Sequence, residues 1–129
     1  MKEYSANDYN HCFYIDHGSD CLIVTEAIVD MMSIMELAED YKRYNYLSIN
    51  SVTKYQAIFE HIKNDPNIKS VLMRVDHDTA GIKLNKKVCS ELKEQFPDIR
   101  ISVEYPKKEK DWNDYLVYQV NNREKVDAY

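Results

Sequence analysis

The feature that most constrains this 129-residue chain is an alternation of two hydrophobic periods. Short, continuous, β-branched apolar runs take turns with longer segments whose apolar residues recur every three or four positions. Leu22-Ile23-Val24-Thr25 predicts a buried strand. Ala27, Ile28, Met31, Ile34, Met35 and Ala38 then follow at helical spacing up to about Tyr41. Tyr46-Leu47-Ser48-Ile49 predicts a second strand, and Val52, Tyr55, Ile58, Phe59 and Ile62 a second helix, ended by Asp65-Pro66. The strongest strand signal runs from Ile68 to Val75. Thr79 then provides a cap for a helix carrying Leu84, Val88 and Leu92, which stops before Pro97. Ile99 to Val103 gives a further strand. Pro106 opens a basic loop, and Asp111 with Asp114 predicts a capped start for a last helix. His11 to Ile15, ahead of Gly18, adds a strand or hairpin at the front. The order βαβαβαβα implies an α/β fold: a mainly parallel sheet of about four strands, with helices on both faces.

The length suits one domain, because single domains most often hold roughly 100–150 residues, so residues 1–129 are read as one unit. Two glycines, against roughly nine at average usage, leave no room for a G-x-G-x-x-G fingerprint or a P-loop. Phosphate chemistry here must rest on side chains and metals. Three cysteines (Cys12, Cys21, Cys89) are odd in number and lack C-x-x-C spacing, which argues against a disulfide framework or zinc cluster and favours a reducing cytoplasm. No apolar run approaches the roughly 20 residues that cross a bilayer, so no membrane role is expected. The net charge of −5 hides an asymmetry. Residues 1–40 carry one Lys and nine acids, whereas residues 83–110 carry eight Lys or Arg and five acids. Overall charge alone therefore neither supports nor excludes a nucleic-acid partner.

In a parallel sheet, ligands sit beyond the carboxyl ends of the strands, so the polar residues that follow each strand matter most. The run at 22–25 leads into Glu26, with Asp30 one helical turn later. The run at 68–75 leads into Asp76-His77-Asp78-Thr79-Ala80-Gly81. Residues 76 and 78 differ by two, so in extended backbone their carboxylates point the same way. Carboxylates that converge at one sheet edge repel one another, and a hard divalent cation relieves that repulsion. All-oxygen ligands suit Mg²⁺ best, with Mn²⁺ as an alternative.

These residues resemble the Toprim domain shared by bacterial-type primases, type IA and type II topoisomerases and OLD-type nucleases. Glu26-Ala27-Ile28-Val29-Asp30 after one strand and Asp76-His77-Asp78-Thr79-Ala80-Gly81 after another carry the likeness, and the Asp-x-Asp-x-Ala-Gly form is most similar to the primase branch. Lys110-Asp111-Trp112-Asn113-Asp114-Tyr115-Leu116 resembles a lysine-aspartate motif of primase-like proteins from plasmids and other mobile elements. The likeness runs from Phe13 to Leu116 in matching order. Ala27 stands where the family often has Gly, which points to the mobile-element relatives. The resemblance implies a Toprim (Rossmann-like) three-layer fold, with Asp76 and Asp78 coordinating Mg²⁺ and Glu26 as acid/base or further metal ligand. Asp30 would join the metal set, Lys110, Lys83 and Lys87 would meet substrate phosphates, and Asp111 would be accessory. The helix opening at Thr25 to Asp30 adds positive potential near a phosphate.

Plainer roles exist for many of these residues. Glu26 and Asp30 also suit the first turn of any helix, and Asp111 and Asp114 suit an N-cap. The four histidines lack ligand spacing and are expected in surface or packing roles. Met31, Met32 and Met35 are expected to form a flexible core face, and Trp112, Tyr115 and Tyr118 to pack against the sheet. The motifs together imply Mg²⁺-dependent phosphodiester chemistry on nucleic acid, with DNA as the expected strand and nucleotides as co-substrates. The expected setting is a primase-like nucleotidyltransferase domain excised from a larger replication or mobilisation protein, weakly active alone. Two alternatives are a nuclease of the OLD or small-Toprim type and a noncatalytic module that docks nucleic acid or protein. A HAD-like phosphatase is disfavoured, because its Asp-x-Asp belongs after the first strand of the parallel series.

Overall fold

The computed structural model describes residues 12–37, 39–50, 54–106, 112, 116–117 and 119–120. Among the described residues, five strands, β1 (Phe13–Ile15), β2 (Cys21–Thr25), β3 (Asn45–Ser48), β4 (Ser70–Met73) and β5 (Arg100–Val103), form one sheet in the order β1-β3-β2-β4-β5. Strand β1 pairs antiparallel with β3, and every other neighbouring pair is parallel. The longer α-helices among the described residues are α1 (Ile28–Leu37), α2 (Gln56–Asn64) and α3 (Thr79–Gln95), and a single 3-10 turn spans Tyr41–Arg43. The expected α/β, mainly parallel architecture is therefore present, with one strand more than the four of the main series. That extra strand is the front segment, which closes the sheet on its antiparallel edge.

Alternation along the strands divides the core into two layers. Leu22, Val24, Leu47, Val71 and Met73 face α2 and α3 and pack with Ile58, Phe59, Ile62, Leu84, Val88 and Leu92. Ile23 and Tyr46 face the other way and pack with Met31 and Ile34 of α1 and with Trp112. Helices thus cover both faces, as the βαβ order requires. Trp112 is buried, with the Arg74 guanidinium 5.2 Å from its ring centre. Described residues 112, 116–117 and 119–120 are helical, in line with the expected last helix, while its caps at Asp111 and Asp114 lie outside the described residues, as do Tyr115 and Tyr118. Met32 corrects the expected methionine face: it is 60% exposed, whereas Met31 is buried. Met31 and Met35 lie one turn apart on the inner side, and Met32 is rotated by about 100° from Met31.

Asn45, at the start of β3, is fully buried and ties the β1–β2 connection down. Its Oδ1 accepts from the backbone N–H groups of His17 (2.8 Å) and Ser19 (3.1 Å), and its Nδ2 donates to the Tyr14 hydroxyl (3.1 Å) and the Ser19 carbonyl (3.3 Å). The histidines in view do structural work: His61 stacks on Tyr14 at 4.2 Å, and His17 Nδ1 lies 2.7 Å from the Tyr44 carbonyl. All three cysteines are free thiols, and burial pushes the Cys12 and Cys89 thiols up. No helix among the described residues is long and apolar enough to cross a membrane.

Tyr46 lies wholly inside the α1 layer, and its hydroxyl has no hydrogen-bond partner among the described residues. Burial pushes its pKa from 10.0 up to about 12. The folded chain keeps a proton that the unfolded chain releases, so this group's contribution to stability is complete below pH 10 and falls as pH rises toward 12. Tyr46→Phe removes an unsatisfied buried hydroxyl, and we expect it to raise stability by about 1 kcal/mol at neutral pH and to flatten the loss between pH 10 and 12. Urea unfolding of both proteins across that range checks this; a destabilised phenylalanine variant would show that the hydroxyl has a partner.

Candidate active site at the carboxyl ends of strands β2 and β4

The strand order creates one break in the winding. From β2 the chain steps outward to β3, then returns past β2 to place β4 on its other side. In open parallel sheets, the crevice at such a switch, outside the carboxyl ends of the two strands, is where ligands bind. Glu26 follows β2 and Asp76 follows β4, so the switch brings together two acidic residues fifty positions apart. The Asp76 backbone N–H donates to Glu26 Oε1 at 3.3 Å. Both residues are half-buried, and Asp76 Oδ1 is shielded from solvent.

Several short contacts fix this corner. The Arg74 N–H donates to the Val24 carbonyl at 2.8 Å and the Ile49 N–H to the Thr25 carbonyl at 3.0 Å, so parallel pairing continues beyond the strand ends. Ser48 Oγ donates to the Glu26 carbonyl at 3.3 Å. The Ala27 carbonyl accepts from the N–H groups of Asp30 and Met31, both at 3.1 Å, and so starts α1. Positive φ among the described residues is confined to Gly18 and Asn50, so the turn at Ala27 has no conformational need for glycine.

Gly81 has a different reason to be glycine. A Cβ on it would lie 2.1 Å from the Asp76 carbonyl oxygen and 3.3 Å from Glu26 Oε1. The first turn of α3 thus rests directly on the backbone that carries Asp76. Asp78, not Thr79, is the N-cap of α3: its Oδ1 accepts from the Gly81 N–H at 2.8 Å. The amino ends of α1 and α3 both open beside the carboxylates, and their free N–H groups favour negative charge there.

A family model described as Toprim-like matches residues 23–116. The chain belongs to the Toprim-like family. No curated protein matches this Toprim-like chain in sequence. Among solved structures, it is similar to the primase fragment of the bacteriophage T7 primase-helicase protein, with a TM-score of 0.60 and 18% identity over 88% of this chain and 45% of that one. It is also similar to a chain in a structure of the T7 lagging-strand DNA polymerase interacting with primase domains of two gp4 subunits bound to an RNA/DNA hybrid and dTTP. That match has a TM-score of 0.59 and 20% identity over 86% of this chain and 54% of that one. At such identities the likeness is one of fold, and this chain spans about half the length of either.

The other expected site residues of the Toprim-like domain fall in different places. Asp30 is buried on α1. Lys83 and Lys87 are exposed on α3, and Lys87 lies over the Tyr55 ring with its ammonium 4.9 Å from the centroid. Lys110 and Asp111 lie outside the described residues. Glu26, Asp76 and Asp78 offer oxygen donors only, the chemistry that suits Mg²⁺. In this conformation Glu26 and Asp78 each turn one oxygen to a backbone N–H, and among the described residues no group of three His, Cys, Asp or Glu side chains is arranged to hold a metal ion. Sequence reading missed the environment of His77, whose ring stacks on Tyr105 at 4.4 Å. Tyr105 in turn accepts a 2.8 Å hydrogen bond from Asn85 of α3. Nothing in the local pattern marks a contact made across three elements.

Proposed function

We propose that this Toprim-like domain carries out Mg²⁺-dependent phosphodiester chemistry on nucleic acid, as the nucleotidyltransferase (primase-like) part of a larger replication or mobilisation protein of a mobile element. The observation that carries the reading is the contact between Glu26 and the Asp76 backbone at the sheet's switch point. The Asp76-to-Gly81 sequence supports it, as does a fold like that of T7 primase, whose primase domains have been seen with an RNA/DNA hybrid and dTTP. Asp76, Asp78 and Glu26 would hold Mg²⁺ or Mn²⁺ once Glu26 and Asp78 rotate away from the N–H groups they accept from. A bound divalent ion would polarise the phosphoryl group and stabilise the attacking or leaving oxygen. The chain's own part is positional: the two helix amino ends favour an anionic phosphate, and Gly81 fixes the Asp76 backbone. Lys83 on α3 and Lys110 are candidates for phosphate contacts.

Calorimetric titration with Mg²⁺ tests the site. The parent should bind, and the double variant Asp76→Asn, Asp78→Asn should lose at least tenfold in affinity. Asparagine is as good an N-cap as aspartate, so α3 keeps its cap and the fold is retained. Unchanged affinity would refute the metal reading. Incubating labelled single strands with Mg²⁺ and nucleotides then separates the chemistries: extension supports the primase-like reading, whereas shortening identifies a nuclease. Strand binding that persists in EDTA without turnover under any metal identifies a noncatalytic docking module.

A further inference from the structure

A groove of about 800 Å³ runs between α3 and β5 on the outer flank of the sheet, and none of Glu26, Asp76 and Asp78 lines it. Ile82, Val103 and Tyr105 give it apolar walls, and Val103 is 40% exposed there. Asn85 lines it too; it is 4% exposed, and its Oδ1 accepts no hydrogen bond among the described residues. Because the Tyr105 hydroxyl accepts from Asn85, its own proton is left to donate elsewhere. Lys86 and Lys93 stand along the helix side of the groove, and Glu94 is the single acid among the described residues that line it. Among the described residues the lining holds two cations and one anion, in contrast to a chain of net charge −5. Lys86 and Lys93 are two helical turns apart, about 10 Å along the axis. At one end, Tyr105 stacks on His77, which is exposed and sits between Asp76 and Asp78. The groove is thus continuous with the carboxylate loop through one aromatic pair.

Apolar and aromatic walls, spaced cations along one side, and an aromatic step at the end suit a strand whose bases stack and whose phosphates face the lysines. We propose that the α3–β5 groove is a track for single-stranded nucleic acid that leads to the Asp76–Asp78 loop. The proposal deepens the nucleic-acid reading above and rests on it for the meaning of the loop. Binding in the groove itself needs no metal.

The test measures fluorescence anisotropy of labelled oligothymidylate and oligouridylate in EDTA over a range of NaCl concentrations, and the two probes distinguish DNA from RNA as the occupant. Lys86→Glu with Lys93→Glu should weaken binding of at least one probe tenfold or more. It should also reduce the log–log salt slope by about 1.4, that is about 0.7 for each lost phosphate contact to a single strand. Lys42→Glu with Arg43→Glu makes the same change of charge in a separate polar pocket beside His17 and Asn67, and should have less than a third of that effect. Lys86→Gln with Lys93→Gln serves if the reversed pair does not fold. Equal effects from the two pairs, or no strand binding by the parent, overturn the track. Because these measurements exclude metal, the track can fail while Mg²⁺ binding at Asp76 and Asp78 survives, and the converse holds too.

Discussion

Gly81→Ala is expected to destabilise the protein by about 3 kcal/mol or more, the upper range for forcing extra volume into a packed site. The added methyl would stand 2.1 Å from the Asp76 carbonyl oxygen and 3.1 Å from its carbon. Both atoms are backbone, so no side chain can swing aside. Either the first turn of α3 or the end of the β4 segment must move. Movement of the latter also displaces the Asp76 N–H from Glu26 Oε1, so Mg²⁺ affinity should fall together with stability. Gly18→Ala is the informative comparison. Gly18 has φ +73° and open space around it, so alanine there meets only the left-handed backbone penalty, about 1–2 kcal/mol, and leaves the proposed metal site alone. Urea unfolding and calorimetry on both variants check this. A Gly81→Ala protein with parental stability and affinity would show that α3 does not rest on Asp76.

Asn45→Ala is expected to cost about 2–4 kcal/mol, because it strands two backbone donors at roughly 1–3 kcal/mol each when water does not fully replace the lost acceptor. The residue is fully buried, and its amide makes four hydrogen bonds to Tyr14, His17 and Ser19. It acts at the amino ends of the strands, opposite the candidate site. Stability should therefore drop while Mg²⁺ affinity of the folded fraction stays at the parental value. Hydrogen exchange gives the specific readout: the amides of His17 and Ser19 should lose protection ahead of the rest of the sheet. If they remain protected, Asn45 is not what holds them.

Asn45 also marks a boundary of what local pattern conveys. An asparagine beside an apolar run reads as a turn residue, and only the fold shows it bonded to residues 26 to 31 positions away. Asp78 shows the same limit at shorter range. Spacing of two predicts that it faces the same way as Asp76, yet its oxygen caps α3, because a helix amino end with open N–H groups is the nearest donor. Met32 is exposed for a geometric reason: it lies about 100° around α1 from Met31, on the side away from the buried arc that Asp30, Met31 and Ile34 define. His77, Tyr105 and Asn85 come from a loop, a strand end and a helix, and their contact depends on how α3 lies against β5.

What the sequence determined by itself was the series of elements, the two-faced burial of the strands and the family, because hydrophobic period and a strand-end motif are local properties of the chain. The order of the strands was left to the tertiary structure. Short apolar runs of similar composition pair equally well with any neighbour in register, and only the packing of α1 on one face and of α2 and α3 on the other puts β2 beside β4. That adjacency makes two distant motifs one site, joined by the hydrogen bond from the Asp76 backbone to Glu26.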